Sequence, residues 1–212
     1  MRAFLDEKSL ELSSAPGGGS VAAAIAAARA AAAARGRIVI DVLVNGERLD
    51  EEALETPSIL PAGDIELKCV SADPGQLVAE SFADVSRAID DARPVQREAA
   101  DALQTGKLDA AFDRLAGVLE VWDAVHRVTD QGPALLGIPL AKLAATQRVE
   151  QELADLSATL QQVKDAVTGQ DWSTLADLLT HELDASADRW SRLLLALAQR
   201  AKENSGGGGK GV

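Results

Sequence analysis

The stretch Asp64-Ile65-Glu66-Leu67-Lys68-Cys69-Val70-Ser71-Ala72-Asp73-Pro74-Gly75-Gln76-Leu77-Val78-Ala79-Glu80-Ser81-Phe82 changes its rule of burial half-way along. From Asp64 to Val70, Ile65, Leu67 and Cys69 alternate with polar residues, the two-residue period of a strand with one buried face. From Asp73 onward, Val78, Phe82, Val85, Ile89 and Ala92 recur at alternating steps of four and three. That spacing lines one face of a helix. Asp73 suits a helix cap and Pro74 its first turn. Sheet-type burial before residue 73 and helix-type burial after it predict an α+β protein of two parts.

Upstream, Met1, Ala3 and Leu5 alternate with Arg2, Phe4 and Asp6, predicting an opening strand. Glu7-Lys8 reads as a hairpin turn, and Leu10 and Leu12 flank Glu11 in a second short strand. Pro16-Gly17-Gly18-Gly19 breaks the chain, and Ser20 can cap the helix beyond it. Ser20 to Arg35 is almost all Ala, the best helix former, with Val21 and Ile25 on its inner stripe and Gly36 just past its end. Arg37 to Val44 is rich in β-branched residues and predicts a strand. Strict alternation would put Ile38, Ile40, Val42 and Val44 on one face and Val39, Asp41 and Leu43 on the other. Asn45-Gly46 predicts a tight hairpin turn, before the acidic run Asp50-Glu51-Glu52.

The order strand, strand, helix, strand, irregular segment, strand resembles the ubiquitin-like β-grasp fold. Met1-Arg2-Ala3-Phe4-Leu5 is similar to its opening strand. Val42-Leu43-Val44-Asn45-Gly46-Glu47-Arg48-Leu49-Asp50-Glu51 is similar to its third strand and the turn after it, and Asp64 to Val70 to its closing strand. The likeness covers residues 1–72 and carries no catalytic motif. In ubiquitin an exposed apolar patch draws on the third and last strands. Leu43 would match that patch here, whereas Glu66 and Lys68 face outward on the last strand. A conjugated modifier's di-glycine end is missing from Ser71-Ala72-Asp73-Pro74.

Beyond residue 73, Val95, Ala99 and Leu103 extend the first helical stripe, and Pro94, lacking an amide donor, should kink or split that helix. A second helix, Lys107 to about Asp130, turns Leu108, Phe112, Leu115, Leu119 and Trp122 inward. Gln131 to Pro139 contains Gly132-Pro133 and Gly137 and reads as a connection. A third helix carries Val149, Leu153, Leu156, Leu160, Val163 and Val167; a fourth carries Trp172, Leu175, Leu179, Leu183, Trp190 and Leu194. With short turns at Thr105-Gly106 and Gly169-Gln170, residues 73–202 predict an antiparallel four-helix bundle. Leu160 and Leu179 are expected in its core. The Trp side chains on these stripes are expected to be core, each indole N–H reaching a partner at the edge. The Gly-rich tail 203–212 is expected to be disordered. Asp101 to Leu108 can be laid on Asp165 to Trp172, a shift of 64. Either the bundle is two repeated hairpins, or two amphipathic hairpins look alike by periodicity alone.

The chain has 212 residues, with 33 Asp+Glu against 21 Lys+Arg, a net charge of -12. Such a surface repels phosphate backbones and anionic lipid heads. Aromatics are 3% with no Tyr, which argues against base-stacking modules. No nucleic-acid or membrane partner is expected. One Cys excludes an internal disulfide and a Cys-rich zinc site, and Cys69 falls on the inner face of its strand. Gly17-Gly18-Gly19 lacks the Gly-x-Gly-x-x-Gly spacing, and Gly206 to Lys210 lacks the strand, Ser or Thr and helix of a P-loop. His126 stands near Asp123 and Asp130, and His181 near Asp177 and Asp184, each set on one helix face. These read as solvated ion pairs; a metal would need the two faces to meet. No catalytic, cofactor-binding or metal residue is expected. Charges interrupt Met1 to Lys8, and the apolar run Val21 to Ala34 is broken by Arg29 and too short for roughly 30 Å of hydrocarbon. A cytoplasmic location is expected, with Cys69 reduced.

The expected function is therefore a non-catalytic protein-interaction module, an adaptor or chaperone-like binder of another protein. Leu43, the apolar Leu135, Leu136 and Ile138, and Trp172 are the candidate contacts. Leu160 to Leu194, with Gln170-Asp171-Trp172 at the turn, resembles helical hairpins of flagellar export chaperones, which implies a groove for an amphipathic helix. Two alternatives stand beside it. One is an enzyme or small-ligand binder at the junction of the two parts, using Asp90-Asp91 or Asp123. The other is a modifier conjugated through the Gly-rich end after trimming of Lys210-Gly211-Val212.

Overall fold

The structure, a computed structural model, describes residues 1–11, 20–50, 64–144 and 148–206. The protein is α+β. It divides into two compact units between Pro74 and Gly75.

The first unit contains β1 (Arg2–Leu5), β2 (Lys8–Ser9), α1 (Val21–Ala33), β3 (Ile38–Val44), β4 (Glu47–Arg48) and β5 (Glu66–Ala72). The sheet order is β2-β1-β5-β3-β4, with β1 parallel to β5 and the other pairs antiparallel. Ser20 caps α1 by accepting the Ala23 amide, and Val21, Ala24, Ile25, Ala28 and Ala32 are its buried residues. Small Ala side chains let the helix lie close over Ala3, Leu5, Val42, Ile65, Leu67 and Cys69. Burial raises the pKa of the Cys69 thiol, so it stays protonated at neutral pH.

Three details differ from the sequence reading. The second strand is Lys8–Ser9, ahead of the expected Leu10-Glu11-Leu12. The first hairpin turns at Asp6-Glu7, not Glu7-Lys8, both residues having positive φ (48° and 66°). The turn sits there because the Asp6 carboxylate caps the end of β5, accepting the Ser71 amide at 2.8 Å and its hydroxyl at 2.6 Å. In β3 the register against β5 shifts between Val39 and Asp41. That bulge breaks the expected alternation: Val39 packs against the core, while Ile40 is 42% exposed on the surface. Asn45-Gly46 forms the expected turn (φ 52° and 88°), and the Asn45 side chain also accepts the Glu66 amide. Leu12, Gly17 to Gly19 and Glu51-Glu52 lie outside the described residues.

The second unit comprises α2 (Pro74–Gln104), α3 (Leu108–Leu136), α4 (Leu140–Ala144), α5 (Arg148–Gly169), α6 (Trp172–Asp177), a π turn (Leu178–Glu182) and α7 (Leu183–Gly206). Pro94 does not split α2. It is exposed, and the helix is pinned on both sides of it. Arg93 binds Asp184 and Asp188, and Gln96 reaches the Leu179 carbonyl. After Ala92 the inner stripe steps to the polar Gln96, leaving Val95 exposed. The alternation of four and three outranks the hydrophobicity of one residue.

The expected connection at Gln131 is also corrected. The α3 helix continues through Gly132-Pro133 to Leu136 and ends at Gly137 in the left-handed conformation. Gly132 marks close approach, not a break. A Cβ there would stand 3.1 Å from Val78 Cγ1 and 3.2 Å from Phe82 Cζ. Leu119 is 37% exposed and Val118 is buried in its place. Leu179 is fully buried, whereas Leu160 is only half-buried at the edge of the core. The fourth helix is interrupted by the π turn, and α7 continues through Gly206; the rest of the tail lies outside the described residues.

Each long helix touches others through named pairs. Arg114 joins α3 to Glu98 of α2, and Phe112 of α3 meets Trp172 of α6 edge-on at 5.5 Å. Arg189 of α7 binds Glu152 of α5, and Leu143 on α4 is buried in the same core. No described helix is long and apolar enough to cross a membrane.

Urea unfolding followed by circular dichroism checks this packing. Leu179→Ala should lose about 2–5 kcal/mol and Leu119→Ala less than about 1 kcal/mol. Gly132→Val, forced against Val78 and Phe82, should lose about 1–3 kcal/mol.

Candidate functional site

Two features of the helical unit are candidates for a site. The first is a ladder between α2 and α7. Ser86 donates to the Ser191 carbonyl at 3.1 Å, the two hydroxyls lie 2.9 Å apart, and Asp90 accepts from Ser191. One turn further on, Arg93 forks onto both oxygens of Asp184 at 3.1 Å and reaches Asp188 at 2.7 Å, while Arg97 adds a third donor to Asp184. These charge-assisted bonds hold the Asp184 carboxyl below the usual carboxylate range, against the opposing pull of burial, and raise the pKa of Arg93 in turn. These bonds tie α2 to α7 across the buried seam.

The second feature is a pair of grooves on either side of the C-terminal half of α3. One, of about 480 Å³, runs between α2 and α3 and includes Leu77, Val85, Val128 and Leu135 above Gly132. The other, of about 740 Å³, lies among α3, α4 and α5 and includes His126, Pro133, Ile138, Leu140 and Leu153. Arg127 and Gln131 belong to both rims. Both openings have mostly apolar walls with a few polar groups at the rim.

Residues 81–193 match the family model described as Domain of unknown function (DUF8042). The chain belongs to the DUF8042 family. Comparison with curated proteins and with solved structures gave no match. The DUF8042 match begins within α2 and ends within α7, so the whole ladder, the π turn and the larger groove fall inside it. The sheet falls outside.

The candidate contacts scatter between the units. Leu43 is half-buried on the sheet face turned away from α1, across from Lys68. Leu135 is 44% exposed and Ile138 half-buried, and each lines one of the two grooves. Leu135 and Leu136 belong to the last turn of α3 rather than to a loop. Leu136 and Trp172 pack against the core. Of the carboxylates considered, Asp90 accepts from Ser191 and Asp123 pairs with Arg127. His181 is exposed on the π turn, and its neighbour Asp184 is taken by the two arginines. Among the described residues no group of His, Cys, Asp and Glu is placed to hold a metal. The Trp190 indole N–H, expected to reach a partner, is fully buried without one in the described structure.

Sequence reasoning missed the ladder. Its signal was polar residues, Ser86 and Gln96, at inward positions of a regular stripe.

Asp184→Asn tests the ladder. The Asp184 pKa is lowered by folding, so its contribution is complete above the unfolded value near 4 and is lost as pH falls through the folded value. The variant should be less stable by about 1–3 kcal/mol at pH 7, and the difference should shrink below about pH 4. Urea midpoints at pH 7 and pH 3 measure both.

Proposed function

We propose that this DUF8042 protein is a non-catalytic protein-interaction module, an adaptor or chaperone-like binder, in which grooves beside α3 receive an amphipathic helix of a partner protein. In this reading the first unit is a ubiquitin-like β-grasp domain and the second an antiparallel four-helix bundle, acting in the cytoplasm. The sheet order with β1 parallel to β5 supports the former, and the cross-helix pairs around the second unit support the latter.

The observation that carries the functional reading is Leu135. It stands 44% exposed at the end of a long helix, beside Leu77 and Val85, where the backbone of α3 dips to glycine. From Leu77 to Val85 the groove runs along α2 for roughly 12 Å, about two helical turns. A helix presenting apolar residues at steps of three and four can seat them there. The polar rim groups Ser81, Asp84, Arg127 and Gln131 would set its orientation.

A photo-crosslinking amino acid at position 135, in cells of the native host, tests this. The expected result is a discrete protein adduct at 135, reduced when Leu77→Asp is added, and none from the same amino acid at Leu195, a more exposed leucine on α7. Equal labelling at 135 and 195, or none at 135, would sink the reading.

A further inference from the structure

We infer that the helical unit is one helix–turn–helix hairpin present twice, and that the π turn is a single residue inserted into the second copy and held by Gln96. The two inter-helix turns are the first observation. Gly106 and Gln170, 64 positions apart, both adopt positive φ (73° and 55°). Around them three backbone hydrogen bonds recur at the same offset. Gly106 N to Leu103 O becomes Gln170 N to Val167 O; Lys107 N to Ala102 O becomes Asp171 N to Ala166 O; Ala111 N to Lys107 O becomes Leu175 N to Asp171 O.

The inner stripes give the second observation. In α2 the inward positions 85, 89, 92, 96, 99 and 103 map onto 149, 153, 156, 160, 163 and 167 of α5 at that same offset. In α3, positions 111, 115, 118, 122, 125, 129, 132 and 136 step by four and three in strict alternation. In α6, the π turn and α7 the buried positions include the stripe 175, 179, 183, 187, 190, 194, 197 and 201. The offset is 64 up to Leu179 and one more from Leu183 onward. One extra residue therefore lies between Leu179 and Leu183, inside the π turn, whose Leu183 amide bonds back five residues to the Leu178 carbonyl. A π turn is how a helix absorbs such an insertion without rotating the residues beyond it.

The third observation is independent of both. A π turn leaves a carbonyl without its ordinary donor, and a buried carbonyl needs one. The Leu179 carbonyl accepts the side-chain amide of Gln96, which is itself buried, at 2.6 Å. The position equivalent to Gln96 in the other hairpin is Leu160, and Leu115, the counterpart of Leu179, lies in unbroken α-helix. The polar side chain occurs only where the inserted residue exposes a carbonyl to it.

The full chain tests this through unfolding equilibrium constants in urea. The variants are deletion of His181, Gln96→Leu, the two combined, and deletion of Glu120, an exposed residue in the regular part of α3. Deleting His181 should leave a folded protein, because Leu183 to Ala201 return to the alternating spacing. Deleting Glu120 rotates every later inward residue of α3 by about 100° and should abolish the cooperative transition. Deletion of His181 alone and Gln96→Leu alone each strand a buried polar group and should lower the folding constant roughly tenfold or more. Combined, they should return it to within about threefold of wild type. Single losses below about threefold, a combined loss equal to the product of the two, or a His181 deletion that unfolds as the Glu120 deletion does would each overturn the inference.

Discussion

Arg93 and Gln96 fix the sliding register of the π turn and α7 against α2, and the rest of the helical unit is stacked on that register. Apolar stripes attract without specifying which residue meets which. A helix that slips by one turn still buries leucines. A slip here would take the Arg93 fork off Asp184 and leave the Gln96 amide in a core with nothing to accept it. An unsatisfied buried amide costs about 1–3 kcal/mol, a large share of a domain's net stability. Ser86 and Ser191 extend the same matching along the seam. The ladder thus narrows many apolar packings to one.

The sheet unit uses the same principle on a smaller scale. Its core is made largely of Ala, Val and Leu, and burial alone gives little shape selectivity. Ser71 supplies it at one end. Its amide and hydroxyl are bound by Asp6, and its hydroxyl and carbonyl by Arg37, so the end of β5 is tied to the turn after β1 and to the start of β3. The left-handed conformations of Asp6 and Glu7, of order 1–3 kcal/mol each for residues other than glycine, are held against these bonds.

Periodicity made most elements legible. The change of period near residue 73, the Ala-rich helix capped by Ser20, the Asn45-Gly46 turn and the burial of Leu175, Leu179 and Leu183 could all be read directly, because each depends on neighbours in the chain. What escaped depended on partners far away. Gly132-Pro133 looks like a breaker until Phe82 and Val78 are seen pressing on it. Pro94 looks like a split until its flanks are seen tied to α7. The bulge at Ile40 is a matter of pairing with β5, not of β3 alone. The grooves were half visible: Leu135 and Ile138 stood out as apolar residues beyond an expected helix end, but Val85 and Leu153 were indistinguishable from core, and Leu77 lies off the stripe. The π turn did leave a trace, since Leu175, Leu179, Leu183 and Ala187 are separated by three successive steps of four, more than an α-helix holds on one face.

The outermost strands of the sheet, β2 and β4, are two residues each. Among the described residues β4 covers only Leu43 and Val44 of the seven-residue β3, so the edge of β3 from Ile38 to Asp41 has no strand paired outside it. Of the two long strands, β5 is flanked on both sides, by β1 and β3, while β3 carries the β-branched run most prone to cross-chain stacking. The bulge beside Ile40 falls in that uncovered stretch and bends it, which works against the flat stacking that an added strand would need.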